Sequence, residues 1–416
     1  MTNNGSEIST TIWDAIVIGG GPAGAAAAIT LARNSRSVLL LEKRIKAGFT
    51  LGESLPPAAI GVVEHFLGSV EKDIGVGITK TIGITKTKGN VSCWQHAAPQ
   101  ISDFFFTPKG FGLCIDRTNF DQALRDVALK CGVSVLYGAQ LTGCRRSENY
   151  QRWDVEVSSK SSKQTYHAKY LLDCSGRRSV VARALGIERQ CHDNLFAYAQ
   201  RFVSASGEDS GLDKDAYTRI EASPEGWWYS NRLPLANTSK STERLVVLHT
   251  DKDSSAAQQA ATPSGFLKLI AQSPHISSYL NKFAYTPIGK IKGAAAGSER
   301  LVQFCGEGWL AVGDAAQAYD PLSSQGIYKA LNSASSAGQM VNYALAKSEQ
   351  SPSSENDDQF FLKRYAHEQE QLWADYVQQH KYYYASQPRW LDQPFWNQRG
   401  SSTDVGSESQ LVRGVL

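Results

Sequence analysis

The period of the hydrophobic pattern changes several times along this chain. Asp14-Ala-Ile-Val-Ile18 is a short apolar run that ends in three glycines, as a buried strand entering a tight turn does. Pro22 to Arg33 is Ala-rich with Pro22 in its first turn, which predicts a helix. Ser37 to Glu42 reads as a second buried strand, so a βαβ unit opens the chain. The spacing over 119–131 predicts an amphipathic helix capped near Asn119. Trp153 to Val157 alternates as a half-buried strand, and Lys169 to Asp173 is another buried one. Residues 196–290 mix strand-like segments with polar loops, which predicts a mostly antiparallel sheet. A strand and turn at 309–314 precede a helix over 324–347, and 351–358 reads as a loop. Phe361, Tyr365, Leu372, Tyr376 and Tyr383 then keep helical spacing.

The fold class expected is α/β: a Rossmann-like domain that opens on this βαβ unit, an inserted, mainly antiparallel β-sheet substrate domain, and C-terminal helices. The assignment is 1–62, 111–190 and 286–345 for the first, 63–110 and 191–285 for the second, 346–400 for the helices and 401–416 for a flexible tail. Composition agrees with a large folded core: 416 residues, 42% hydrophobic and 20% charged. The charge balance, 43 Lys+Arg against 40 Asp+Glu, argues against a nucleic-acid binder. No apolar run is long enough to span a membrane, and the first twelve residues lack the pattern of a secretory signal. The seven cysteines are scattered, without metal-ligand spacing. Reduced thiols, no metal and a cytoplasmic location are therefore expected.

Two motifs carry the chemistry. Gly19, Gly21 and Gly24 form G-x-G-x-x-G, with Pro22 and Ala23 inside it, and Glu42 ends the next strand beside Lys43 and Arg44. The first glycine permits the turn, the second lets a pyrophosphate approach the helix N-terminus, and the third lets helix and strand pack. Glu42 is placed to accept hydrogen bonds from a ribose diol. This motif alone leaves NAD and FAD open. The second, Gly313-Asp314 followed by Asp320-Pro321-Leu-Ser-Ser324-Gln325-Gly326, decides for FAD. A cofactor that long needs a second, distant contact: Asp314 for a ribityl hydroxyl, and the helix start around Ser324 to Gly326 for the flavin pyrimidine edge. With one dinucleotide loop, NAD(P)H is a transient reductant or is not used.

These segments, with Asp173-Cys-Ser-Gly176-Arg-Arg, resemble the three fingerprints of the para-hydroxybenzoate-hydroxylase-like flavoproteins. The resemblance implies non-covalent FAD, with Arg117 touching it and with Asp173 and Gly176 beside it. Ser323 and Ser324 stand where many relatives have Gly. Gly52-Glu53-Ser54-Leu-Pro-Pro57 resembles the flavin-lining loop of the halogenase-like branch. Halogenases also carry W-x-W-x-I-P and a catalytic lysine. Here the matching stretch runs Gly226-Trp-Trp-Tyr-Ser-Asn-Arg-Leu-Pro234, and Lys80, Lys86 and Lys88 read as a solvated run, so halogenation is disfavoured.

Gly226 to Pro234 and the C-terminal Tyr382-Tyr-Tyr, Arg389-Trp390, Phe395-Trp396 and Arg399 look like a narrower group. These are the maturation flavoproteins of quinoprotein amino-acid oxidases, such as glycine and lysine oxidases, and of amine dehydrogenases. The implied activity is oxygenation of a Trp side chain in a partner oxidase precursor during cysteine tryptophylquinone biogenesis. Hydroxylation of a small aromatic and a non-catalytic flavoprotein chaperone are the alternatives. Trp227, Trp228, Tyr229, Trp94, His96 and Glu53 are candidate pocket residues, although aromatics are more often plain core. The C-terminal aromatics are read as helix core covering the FAD-binding domain, with a docking surface as the alternative. Polar loops between 204 and 215 are expected to flank a broad opening.

Overall fold

The computed structural model describes residues 8–45, 48–70, 82–147, 151–159, 162–205, 213–234, 241–350 and 355–400. Most of the polar loop at 204–215, Lys80 and the tail at 401–416 lie outside the described residues. No helix among the described residues is long and apolar enough to cross a membrane, and no His/Cys/Asp/Glu group there is arranged to hold a metal.

The first sheet is parallel at its centre. Its strands run in the order Trp309–Ala311, Lys163–Asp173, Ile8–Ile18, Val38–Glu42, Ser134–Tyr137. The central strand must therefore be apolar on both faces, and Ala15 to Ile18 are all buried. The helix Pro22–Arg33 lies on it and packs against the helix Gly326–Gln350. Its run of alanines and Gly338 allow a close approach: a Cβ at Gly338 would sit 2.9 Å from the Thr30 side chain.

The second sheet has seven strands and is antiparallel except for one junction. Its order is Thr286–Ala295, Leu195–Ala205, Ser241–Asp251, Gly226–Arg232, Tyr217–Ser223, Gly89–Cys93, Gln100–Asp103. Thr286–Ala295 thus joins this sheet rather than the first.

Three local readings change. The helix expected over 119–131 is Arg117–Lys130, and its cap is Asp116, whose carboxylate accepts the Thr118 and Asn119 N–H groups. The expected antiparallel stretch also holds three helices, Ser255–Ala260, Pro263–Ala271 and Pro274–Lys282. Thr262-Pro263 and Ser273-Pro274 are the signal for two of them, a cap position followed by Pro in the first helical place. The C-terminal helix spans Glu355–Ala385, so 355–358 is helical rather than loop.

Candidate active site

One cavity of about 950 Å³ runs between the two sheets, near the upper end of the size of ligand clefts. At one end lies the glycine loop. Gly19 has φ +106°, and a Cβ there would meet the Cys174 carbonyl oxygen at 2.5 Å. A Cβ at Gly24 would lie 1.7 Å from the Gly19 carbonyl oxygen, so Gly24 packs inward and does not line the cavity. Gly21 differs: a Cβ there would meet nothing within 4 Å. It caps the first helix without a side-chain acceptor, which leaves the first amides and the positive helix end facing the cavity. Pro22, Ala23, Lys43 and Arg44 also line this end. Glu42 Oε2 accepts the Gly20 N–H at 2.9 Å and Oε1 the Arg44 N–H at 2.7 Å, so the same carboxylate sets the loop and borders the cavity.

Further along, Gly313 has φ +61° and packs inward, a Cβ there lying 3.0 Å from the Ala23 methyl. Arg189 holds the Asp314 carbonyl at 2.8 Å, while the Asp314 carboxylate faces the cavity with no hydrogen bond among the described residues. Pro321, Ser324 and Gly326 line the cavity at the start of the long helix, whereas Gln325 does not. Ser324 takes up φ +50°, the left-handed region. Arg117 lines the middle, its guanidinium forked onto Asp121 at 3.1 and 3.2 Å and bonded to the Leu51 carbonyl at 2.7 Å. An open glycine cradle at a helix start, an acid without a partner and a second helix start in one elongated cavity fit FAD.

The floor is the inner face of the second sheet. On the strand Gly226–Arg232 the side chains alternate, so Trp227 and Tyr229 line the cavity and Trp228 points away onto Phe266. Trp228 is therefore not a pocket residue. Neither is Trp94, which is buried behind Trp227 with its Nε1–H on the Tyr383 carbonyl, nor His96, which is exposed. Asp173 is also fully buried outside the cavity, accepting N–H groups of Ser175, Val181 and Ala182, while Ser175 and Gly176 border the cavity.

Two residues not anticipated as site residues, His249 and Asp320, belong to the floor and end wall, and Tyr384 is buried behind them. His249 stacks on Trp227 with ring centroids 3.8 Å apart, and burial pulls its pKa down to about 4. Asp320 accepts from the Leu322 N–H at 2.8 Å and from the Tyr384 hydroxyl at 2.7 Å, and His380 lies 3.3 Å away. Tyr384 in turn accepts the Trp227 Nε1–H at 2.9 Å. The alternation of Leu245, Val247 and His249 on one strand face was the available signal for His249. Tyr384, Phe395 and Trp396 are buried with Trp94 and Trp227 against the antiparallel sheet and with Leu322 of the FAD-binding part, whereas Tyr382 is exposed.

Glu53 and Ser54 line the cavity opposite this floor. Glu53 is 4% exposed, and its Oε2 accepts the Gly52 N–H at 3.2 Å. Oε1 meets no donor in hydrogen-bonding geometry, although the Tyr229 hydroxyl lies beside the carboxyl. Burial pushes the Glu53 carboxyl above the usual carboxylate range, against the pull of Tyr229, the nearby backbone N–H groups and Arg117.

The family model of the FAD-dependent oxidoreductases matches residues 14–261. The chain belongs to that family. This oxidoreductase is 27% identical over 389 residues to the FAD-dependent oxidoreductase LodB of Marinomonas mediterranea, covering 93% of this chain and 96% of LodB. It is also 27% identical to a 1H-pyrrole-2-carbonyl-[peptidyl-carrier protein] chlorinase of Pseudomonas fluorescens, over 82% of this chain and 78% of that one. Among solved structures, the halogenase CndH superposes with a TM-score of 0.76 and 25% identity, over 93% of this chain and 86% of CndH. The peptidyl tryptophan dihydroxylase QhpG has the same fold, with a TM-score of 0.70 and 21% identity over 95% of this chain and 80% of QhpG. The oxidoreductase is thus a halogenase-like flavoenzyme that uses FAD.

Proposed function

We propose that this flavoenzyme is a monooxygenase that oxygenates a tryptophan side chain of a partner quinoprotein oxidase precursor. The make-up of the cavity carries this reading. Beyond the cofactor contacts its floor is Trp227, Tyr229, His249, Leu245, Val247 and the small Ala197 and Ala294 to Ala296, a seat for a flat, electron-rich ring. Among the described lining residues the only lysine is Lys43, beside Glu42 at the ribose end. Lys86, the residue nearest in sequence to a halogenase lysine, is exposed and lies 3.8 Å over the Phe111 ring. That favours oxygen transfer over halogen transfer. A fold shared with an enzyme named for acting on peptidyl tryptophan supports a protein substrate.

Glycine-loop amides, Glu42 and Asp314 would hold the cofactor. Bound and reduced, FAD with O2 supplies an electrophilic oxygen. The chain then has to hold the indole ring in reach of that oxygen and keep water away. Trp227 is fixed for this from both sides, by the His249 stack and by its hydrogen bond to Tyr384. His249 is neutral near pH 7, so it adds no charge to the floor.

The test is incubation of the FAD-loaded protein with a reductant, O2 and a quinoprotein amino-acid oxidase precursor, followed by mass spectrometry of the precursor. One or two oxygens gained on a Trp, with little product from free tryptophan or indole, supports the reading. Free indoles or phenols reacting while the precursor gains nothing favours a small-aromatic hydroxylase. No oxygen transfer to any of these, with tight association to the precursor, favours the chaperone alternative.

A further inference from the structure

The cavity holds a buried carboxyl that the cofactor contacts do not account for. Glu53 leaves the turn at Gly52, which has φ +99°, and its backbone is fixed on both sides. Its carbonyl accepts the Ile115 N–H at 2.8 Å, and Ser54 pairs with Cys114 in a short antiparallel ladder. The carboxyl therefore has a set position. Arg117, the nearest cation that acts on it, is committed to Asp121 and the Leu51 carbonyl. Cys114 is a buried thiol whose pKa burial pushes well up, so it offers no charge. Tyr229 accepts a hydrogen bond from the Asn231 amide at 3.3 Å, and its own hydroxyl proton faces the Glu53 carboxyl. Among the described residues, Oε1 of Glu53 still meets no donor in hydrogen-bonding geometry. A buried polar oxygen left without a donor destabilises the fold, and such groups call for an explanation.

Building on the reading of the cavity as the seat of an electron-rich ring, we propose that Glu53 Oε1, with Tyr229 beside it, anchors the ring N–H of the substrate. A bound indole would supply the missing donor, and the anchor would select rings with an unsubstituted N–H. It also gives the N–H proton a destination. As the ring reacts, the N–H bond breaks, an O–H bond forms at Oε1, and the released electron pair moves into the ring. That step consumes no oxidant. Burial disfavours the carboxylate charge, which makes Glu53 a stronger base than an exposed carboxylate.

The experiment uses FAD-loaded wild type, Glu53→Gln and Tyr229→Phe, titrated with a short Trp-containing peptide and with the same peptide carrying 1-methyltryptophan. Retention of FAD by the variants shows that they fold. Wild type is expected to bind the N–H peptide at least tenfold more tightly than the methylated one. Glu53→Gln is expected to cut that preference below twofold, with Tyr229→Phe in between. A preference kept at tenfold in Glu53→Gln overturns the anchor. So does a precursor that gains oxygen at the same rate with wild type and Glu53→Gln, an outcome that leaves the proposed function standing. A second pair of probes, p-cresol and its methyl ether, tests the class of ring. If only the phenol pair shows a preference and Glu53→Gln abolishes it, Glu53 binds a phenol hydroxyl, and both the ring N–H anchor and the protein-Trp reading fail. No preference in either pair overturns the anchor.

Discussion

Among the acids that border the cofactor cavity, Asp314 and Glu42 should give different signatures when removed. Asp314 carries its carboxylate into the cavity without a hydrogen bond among the described residues, and only its carbonyl is used, by Arg189. Asp314→Ala should therefore leave the empty protein as stable as wild type. Its cost appears on binding, as one lost charged hydrogen bond to the cofactor. At about 1.5–3 kcal/mol this is roughly a 10- to 150-fold loss of FAD affinity. Glu42 is different, because its two oxygens accept the Gly20 and Arg44 N–H groups. Glu42→Ala orphans a buried loop amide at a cost of about 1–3 kcal/mol before any cofactor binds. In a chain of this length each kcal/mol lowers the melting temperature by about 1 °C. Flavin fluorescence titration and melting of the FAD-free proteins read the two effects separately. The reasoning is refuted if Asp314→Ala destabilises the empty protein as much as Glu42→Ala does, or if it leaves FAD affinity unchanged.

Three further outcomes are expected. His249 has a folded pKa of about 4 against an ordinary 6.5, so the unfolded chain binds its proton first as pH falls. Its contribution to stability is full above about pH 6.5 and is lost on the way down to pH 4, by about 3 kcal/mol; urea unfolding across that range should show a shallower slope in His249→Gln. Trp227→Phe and Trp228→Phe should each destabilise by about 1–3 kcal/mol, but only Trp227→Phe should alter the flavin absorption spectrum. An altered spectrum in Trp228→Phe alone would mean that the faces of that strand are misassigned. FAD should be released by denaturation and pass a filter, because the one lining cysteine, Cys174, has its thiol pKa pushed well up by burial and is a poor nucleophile. Yellow colour retained on the polypeptide would contradict this.

The cofactor half of the site was legible because its residues act through local backbone geometry. Gly19, Gly21, Gly24 and Glu42 fall within one βαβ unit, and a turn between a strand and a helix admits few alternatives. Face assignment is readable from strand alternation. Trp227 and Trp228 are neighbours in a strand, so at most one of them could line the cavity. The end wall was not legible. Asp320 and Tyr384 are 64 residues apart and meet through the docking of the C-terminal helix, which periodicity describes as an element but does not place. Glu53 was readable as a loop acid next to a glycine, whereas the missing partner of Oε1 depends on what Arg117 has already bound.

The strand order of the parallel sheet has a consequence for synthesis on the ribosome. Ile8–Ile18 lies between Lys163–Asp173 and Val38–Glu42, so one of its two neighbours is made some 150 residues later. At about 5–20 residues per second, that apolar strand waits on the order of ten to thirty seconds with one edge unpaired. Closing the sheet early is impossible, and the Tyr384 contact to Asp320 forms only after residue 384 is made. The nascent chain therefore needs shielding of its first strand over that interval, and the cavity wall is incomplete until Ala330 is made. Slowing translation between residues 42 and 163 should lower the soluble yield more than slowing it after residue 173.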